Sequence, residues 1–100
     1  YLKEIVDNYA QKLGAKCKSI RLKDNKTNWG SCSSKQNINL NWKLIFAPYE
    51  ILLYVIIHEV CHLKQMNHSK DFWKLVEELD STYKDKVKWL KNHGRKLHSI

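Results

Sequence analysis

HEVCHLKQMNH, residues 58–68, places a second histidine four positions after the first and a third six positions later. On an α-helix each residue advances about 100°, so His58 and His62 stand about 40° apart and one turn apart along the axis. Two ligands of one tetrahedral ion need that separation. Glu59 falls about 60° from His62 on the adjoining strip, where a carboxylate can take a proton from a metal-activated water. The pattern is short, and a histidine on an apolar helix is more often a hydrogen-bonded core residue. Context decides between the two. ILLYVII (51–57) leads directly into the motif, and burying two imidazoles and a carboxylate beside it is unfavourable unless a cation pairs with them.

A straight helix would carry His68 about 9 Å beyond His62 and about 120° away from it, out of reach of the same ion. The chain therefore has to turn after about Gln65. Ser69 is suited to be the N-cap of a following helix, and Asn67 tolerates the left-handed conformation that a reversal often needs. His68 is then the favoured third ligand, with Glu77 and Glu78 as alternatives that would give two histidines and a glutamate. Three protein ligands leave one position open, as a catalytic zinc site requires. Closure by Cys61 or Cys32 into a structural site is the lesser reading, because no C-x-x-C pair supports it.

Working outward, Pro48 opens APYEILLYVIIHEVCHLK (47–64), a helix without interior glycine or proline that is apolar on nearly every side and hence central. Leu2, Ile5, Val6, Tyr9 and Leu13 have helical spacing and pack an N-terminal helix that Gly14 ends. SIRLK (19–23) alternates, and WGSCSSKQNINLNW (29–42) reads as two short strands around the polar Ser33–Asn37 turn. KDFWKLVEEL (70–79) is a helix with Phe72, Trp73, Val76 and Leu79 on one stripe. A last helix carries Tyr83, Val87 and Leu90 until Gly94 stops it, leaving a short tail whose His98 is a candidate to cover the open coordination position. The expected fold class is α+β: a central HExxH helix, packed helices and a short antiparallel β-ribbon.

One hundred residues with 43% hydrophobic content supply one core and not two, so residues 1–100 read as a single domain. No apolar run approaches the roughly 18 residues of a membrane span. Cys17, Cys32 and Cys61 are an odd number without a paired spacing, and YLKEIVDNYA lacks a signal-peptide layout; both point to the cytoplasm. The net charge is +8, and Lys84, Lys86, Lys88, Lys91, Arg95 and Lys96 oppose only Asp85 in the last segment. This concentration makes nucleic acid a second partner class, without any recognition motif to support it.

WGSCS (29–33), INLNW (38–42), Pro48, YVIIHEVCHL (54–63), NHSKDFW (67–73) and WLKNHG (89–94) together resemble the YgjP-like metal-dependent hydrolases, relatives of the WLM and SprT-like zinc peptidases. The resemblance implies a small zincin-like domain in which His58, His62 and His68 hold Zn2+ and Glu59 is the general base. It implies a peptide or protein substrate. The chain is also similar to minigluzincins, whose downstream glutamate ligand keeps Glu77 and Glu78 open. Relatives that process DNA–protein crosslinks add to the nucleic-acid reading. Two further functions stay in play: a zinc hydrolase of small amides or esters, and a basic nucleic-acid-binding module with structural zinc. Tyr54, His93 and Arg21 are the candidates for stabilising an oxyanion, and a ribbon edge could hold the substrate by strand addition.

Overall fold

The computed structural model describes residues 2–24 and 28–98, by backbone alone from 95 on. Amphipathic spacing produces helix α1 (Leu2–Lys12), which buries Val6 and Ala10. It ends as expected at Gly14, where φ is 68°. The Ala15 N–H donates to Ala10 O at 2.9 Å and the Gly14 N–H to Gln11 O at 3.0 Å, the paired bonds of a Schellman ending.

Three strands follow, β1 (Ser19–Lys23), β2 (Gly30–Cys32) and β3 (Asn37–Asn41), in the order β1-β3-β2. β2 and β3 form the antiparallel hairpin read from sequence. Its turn closes through Gln36, at φ 68°, and the Gln36 N–H donates to Ser33 O at 2.9 Å. β1 instead runs parallel to β3, with Ile20 opposite Ile38. The sheet is therefore mixed where a wholly antiparallel ribbon was expected. β3 carries Ile38 and Leu40, each 1% exposed, and must lie in the middle over the helices. β1 is exposed over most of its length and takes the flank. The chain between them, β2 included, is the crossover that parallel pairing needs.

A 3-10 turn at Trp42–Phe46, absent from the sequence reading, joins sheet to helix. Asn41 caps it, its Oδ1 accepting from the Lys43 N–H at 3.0 Å, and the turn buries Leu44. Pro48 then stands at the N-cap of α2 (Tyr49–His62), whose buried residues include Ile51, Val55, Ile56, Ile57, Val60 and Cys61. α1, the sheet, α3 (Lys70–Leu79) and α4 (Tyr83–His98) all pack against α2. Each aliphatic side chain buried there stabilises by about 1.5–3 kcal/mol.

α3 starts at Ser69, whose Oγ accepts from the Phe72 N–H at 3.4 Å. α4 does not stop at Gly94. A Cβ at Gly94 would stand 3.1 Å from Trp29 Cζ2, so this glycine admits a close approach between helix and ring instead of ending the helix. The covering role considered for His98 lies outside the described side chains. No helix among the described residues is long and apolar enough to cross a membrane.

Candidate metal centre

Two of the three histidines take their places from α2. His58 and His62 leave the same face one turn apart, with ring centroids 5.0 Å apart. The helix then winds down through bonds from Leu63 N to Val60 O and from Gln65 N to Cys61 O, at 3.0 and 2.9 Å. The reversal before Ser69 returns His68 to the same face. Its Nε2 lies 3.2 Å from His62 Nε2 and 3.3 Å from His58 Nε2. The left-handed residue expected at Asn67 is not used: among the described residues Gln36 is the one non-glycine with positive φ. A turn at residues 63–64 and bends at 66–67 spread the change of direction instead.

Each ring is held from behind. His62 Nδ1 is 2.9 Å from Gln65 O, which can only accept, so Nδ1 carries the hydrogen and Nε2 presents its lone pair. His58 Nδ1 is 3.3 Å from the Tyr54 hydroxyl. Phe72, fully buried, stacks on His62 at 4.4 Å and meets the His58 and His68 rings edge-on at 5.0 Å. Trp73 stacks on His68 and, at 5.4 Å, on Tyr83. Burial, followed by the nearness of His62 and His68, pushes His58 down to about 4, and burial also lowers His62. Neutral imidazole is the form that binds metal. The two Nε2···Nε2 contacts share the His68 nitrogen, and its single hydrogen cannot satisfy both well. Among the described residues these three histidines are the group of His, Cys, Asp or Glu side chains able to hold a cation.

Glu59 is 5% exposed, and no hydrogen bond or ion pair reaches its carboxylate among the described residues. Burial pushes it up to about 8. β2 passes directly over it. A Cβ at Gly30 would stand 3.0 Å from Glu59 Cγ and Oε2 and 3.1 Å from Asn39 O, so any larger residue would make these neighbours give way, and glycine lets the strand come this close without strain. Asn41 fixes the approach: its backbone N–H donates to Trp29 O at 2.8 Å and its side-chain amide to Asn28 O at 3.2 Å. The edge strand β2 and the histidines bound a cleft of about 320 Å³, which Ser31, Cys32 and Met66 also line. A second cavity of about 240 Å³ shares Gly30, His58 and Glu59 with it.

The profile of the YgjP-like metallopeptidase domain matches residues 1–93. The chain belongs to this YgjP-like family. Its fold is similar to two solved structures. The metallopeptidase zymogen of Pyrococcus abyssi abylysin superposes with a TM-score of 0.80 at 22% identity, over 95% of this chain and 97% of that one. The metallopeptidase zymogen of Methanocaldococcus jannaschii jannalysin gives 0.73 at 26% identity, over 95% and 96%. No curated protein matches. The YgjP-like domain is thus a metallopeptidase, which entails a metal ion and a peptide or protein substrate.

Within this YgjP-like domain the other residues singled out from sequence are dispersed. Glu77 and Glu78 are exposed on α3 and outside the histidine cluster. Of the three oxyanion candidates, Tyr54 backs His58, His93 is exposed and packs on Trp89 at 4.8 Å, and Arg21 is exposed on the outer strand β1. Cys61 is buried in the core. The comparisons lend the nucleic-acid reading no support, and Lys86 of the basic helix is tied to Asp80 at 2.9 Å. Sequence reading gave no role to Gly30, to Asn41 or to the ring shelf of Phe72 and Trp73. A glycine opening a strand directly after tryptophan was the one visible signal of a close approach.

Proposed function

We propose that this metallopeptidase is a zinc-dependent enzyme of the HExxH type, with His58, His62 and His68 as ligands and Glu59 as general base. The observation that carries the reading is the convergence of three Nε2 atoms beside a buried carboxylate that no hydrogen bond or ion pair reaches among the described residues. Zinc–nitrogen distances of about 2.0–2.1 Å at tetrahedral angles set ligand nitrogens about 3.3–3.4 Å apart. The separations of 3.2 and 3.3 Å suit that donor set. A zinc ion so held supplies Lewis acidity, polarising a scissile carbonyl and acidifying water.

Glu59 takes the proton from the attacking water and delivers it to the leaving amine. Its poorly solvated carboxylate favours proton uptake. The free edge of β2 pairs with an extended peptide and lays the scissile bond across the cleft. The 100 residues act as one domain, and their three free cysteines suit a reducing cytoplasm.

Metal analysis and peptide hydrolysis of Glu59→Gln test the scheme. Zinc content should stay at the wild-type level while hydrolysis falls by about 10²–10⁴-fold, the usual contribution of a general base. His68→Ala should lose zinc. Undiminished hydrolysis in Glu59→Gln would overturn the assignment of the base, and zinc retained in His68→Ala but lost in Glu77→Ala or Glu78→Ala would overturn the ligand set.

A further inference from the structure

The cavity of about 240 Å³ that shares Gly30, His58 and Glu59 with the histidine cleft extends away from it to Trp29, Val55 and Leu90. Those three come from separate parts of the fold. Trp29 precedes β2, Val55 stands one turn before Glu59 on α2, and Leu90 belongs to α4. Val55 is buried in the core cluster, and Trp29 and Leu90 pack against it, so the wall is built from side chains whose places the fold already determines. Gly94 lets α4 come up to the Trp29 ring, which brings Leu90 to the same cavity.

Size and chemistry restrict what this space can take. An apolar cavity of about 150 Å³ accommodates benzene, and this one is larger. Among the described residues Glu59 is the only Asp, Glu, Lys or Arg in its lining, which Asn28 and Tyr54 complete. An acidic group entering would stand among Trp29, Val55 and Leu90 with that carboxylate beside it, and a charge removed from water without a partner is strongly disfavoured. An extended peptide along β2 turns alternate side chains to opposite faces. The residue whose backbone crosses Gly30 is the one next to the reacting carbonyl, since Gly30 lies over Glu59.

We propose that this cavity receives the side chain adjoining the scissile bond and selects aromatic and branched aliphatic residues there, with Leu90 setting its depth. The proposal rests on the peptidase reading above and adds the substrate class. Leu90 lies on a helix that supplies none of the clustered histidines, so its size should change selectivity without changing metal binding.

The test uses the zinc-loaded full chain and synthetic peptides randomised at both positions flanking the cleaved bond, with products read by mass spectrometry. Phe and Leu should exceed Ala at one of the two positions by at least about 10-fold in kcat/KM, since even one methylene in an apolar pocket is worth about 10–200-fold. Leu90→Phe should shift the preference toward Ala and Val. Leu90→Ala, which only removes atoms from a half-buried position, should shift it toward Phe and Trp, and serves if the larger side chain does not fold. Zinc content should be unchanged in both. Glu59-dependent cleavage with no apolar preference, with a preference for Lys or Asp, or with a preference that Leu90 variants leave unmoved would overturn the pocket and leave the peptidase reading standing. No Glu59-dependent cleavage of any peptide would overturn both.

Discussion

His58 and His62 stand on the most buried helix of the molecule, whereas His68 stands on an exposed connection. The first two are placed by the helical repeat and by the apolar residues that sink α2 into the core. The third is placed by a reversal, by the Ser69 cap and by two aromatic rings of α3. A candidate metal centre built this way draws its rigidity from two sources, local periodicity on one side and packing between elements on the other. Substitutions on each side separate them.

The largest effect is expected where both sources meet. Phe72 is fully buried and touches all three histidine rings, so Phe72→Ala should destabilise the fold by about 3–5 kcal/mol and lower metal content with it. Denaturant unfolding measures the first and metal analysis the second. A loss under about 1 kcal/mol would show that the shelf beneath the rings is not part of the core.

On the helical side, Tyr54→Phe removes only the hydroxyl facing His58 Nδ1. Partners of this kind orient a ligand ring, and their loss typically lowers metal affinity by about 10–100-fold. Competition with a chelator reads this directly. Unchanged affinity would mean that α2 alone orients His58, which sharpens the contrast with His68.

On the side of the connection, Ser69→Ala leaves the Phe72 N–H without its cap and should cost about 1 kcal/mol. Because His68 adjoins Ser69, the rate of metal release should rise as well. A stability loss with no change in release would show that Trp73 and Phe72 hold His68 without help from the cap.

The smallest effect belongs far from the metal, at Lys86. Its ion pair with Asp80 lies at the rim of the fold with both side chains partly exposed, and Asp80 keeps its bonds from Thr82, so Lys86→Met should change stability by about 1 kcal/mol and leave metal content and hydrolysis untouched. A change in metal affinity would instead couple α4 to the histidines and break the division drawn here.

Much of this was legible in the chain itself, and for one reason: it depends on residues close together in sequence. The spacing of His58, Glu59 and His62, the apolar run before them, the helix end at Gly14 and the cap at Ser69 are consequences of local backbone geometry, and sequence carries that geometry directly. The need for a turn before His68 also followed, because a straight helix takes it away from His58 and His62. Tertiary structure alone decided the rest. A glycine reads the same in sequence whether it ends a helix or admits a neighbour: Gly14 does the first, Gly94 makes room for Trp29, and Gly30 lets β2 pass over Glu59. The parallel placement of β1 likewise depends on which strand must cover the core, and no local pattern states it. Periodicity specifies which face of an element is apolar, but the partner that face meets is set by packing between residues distant in the chain. The histidine pair was therefore written in the sequence, while the strand above it and the cavity beside it were settled only by the fold.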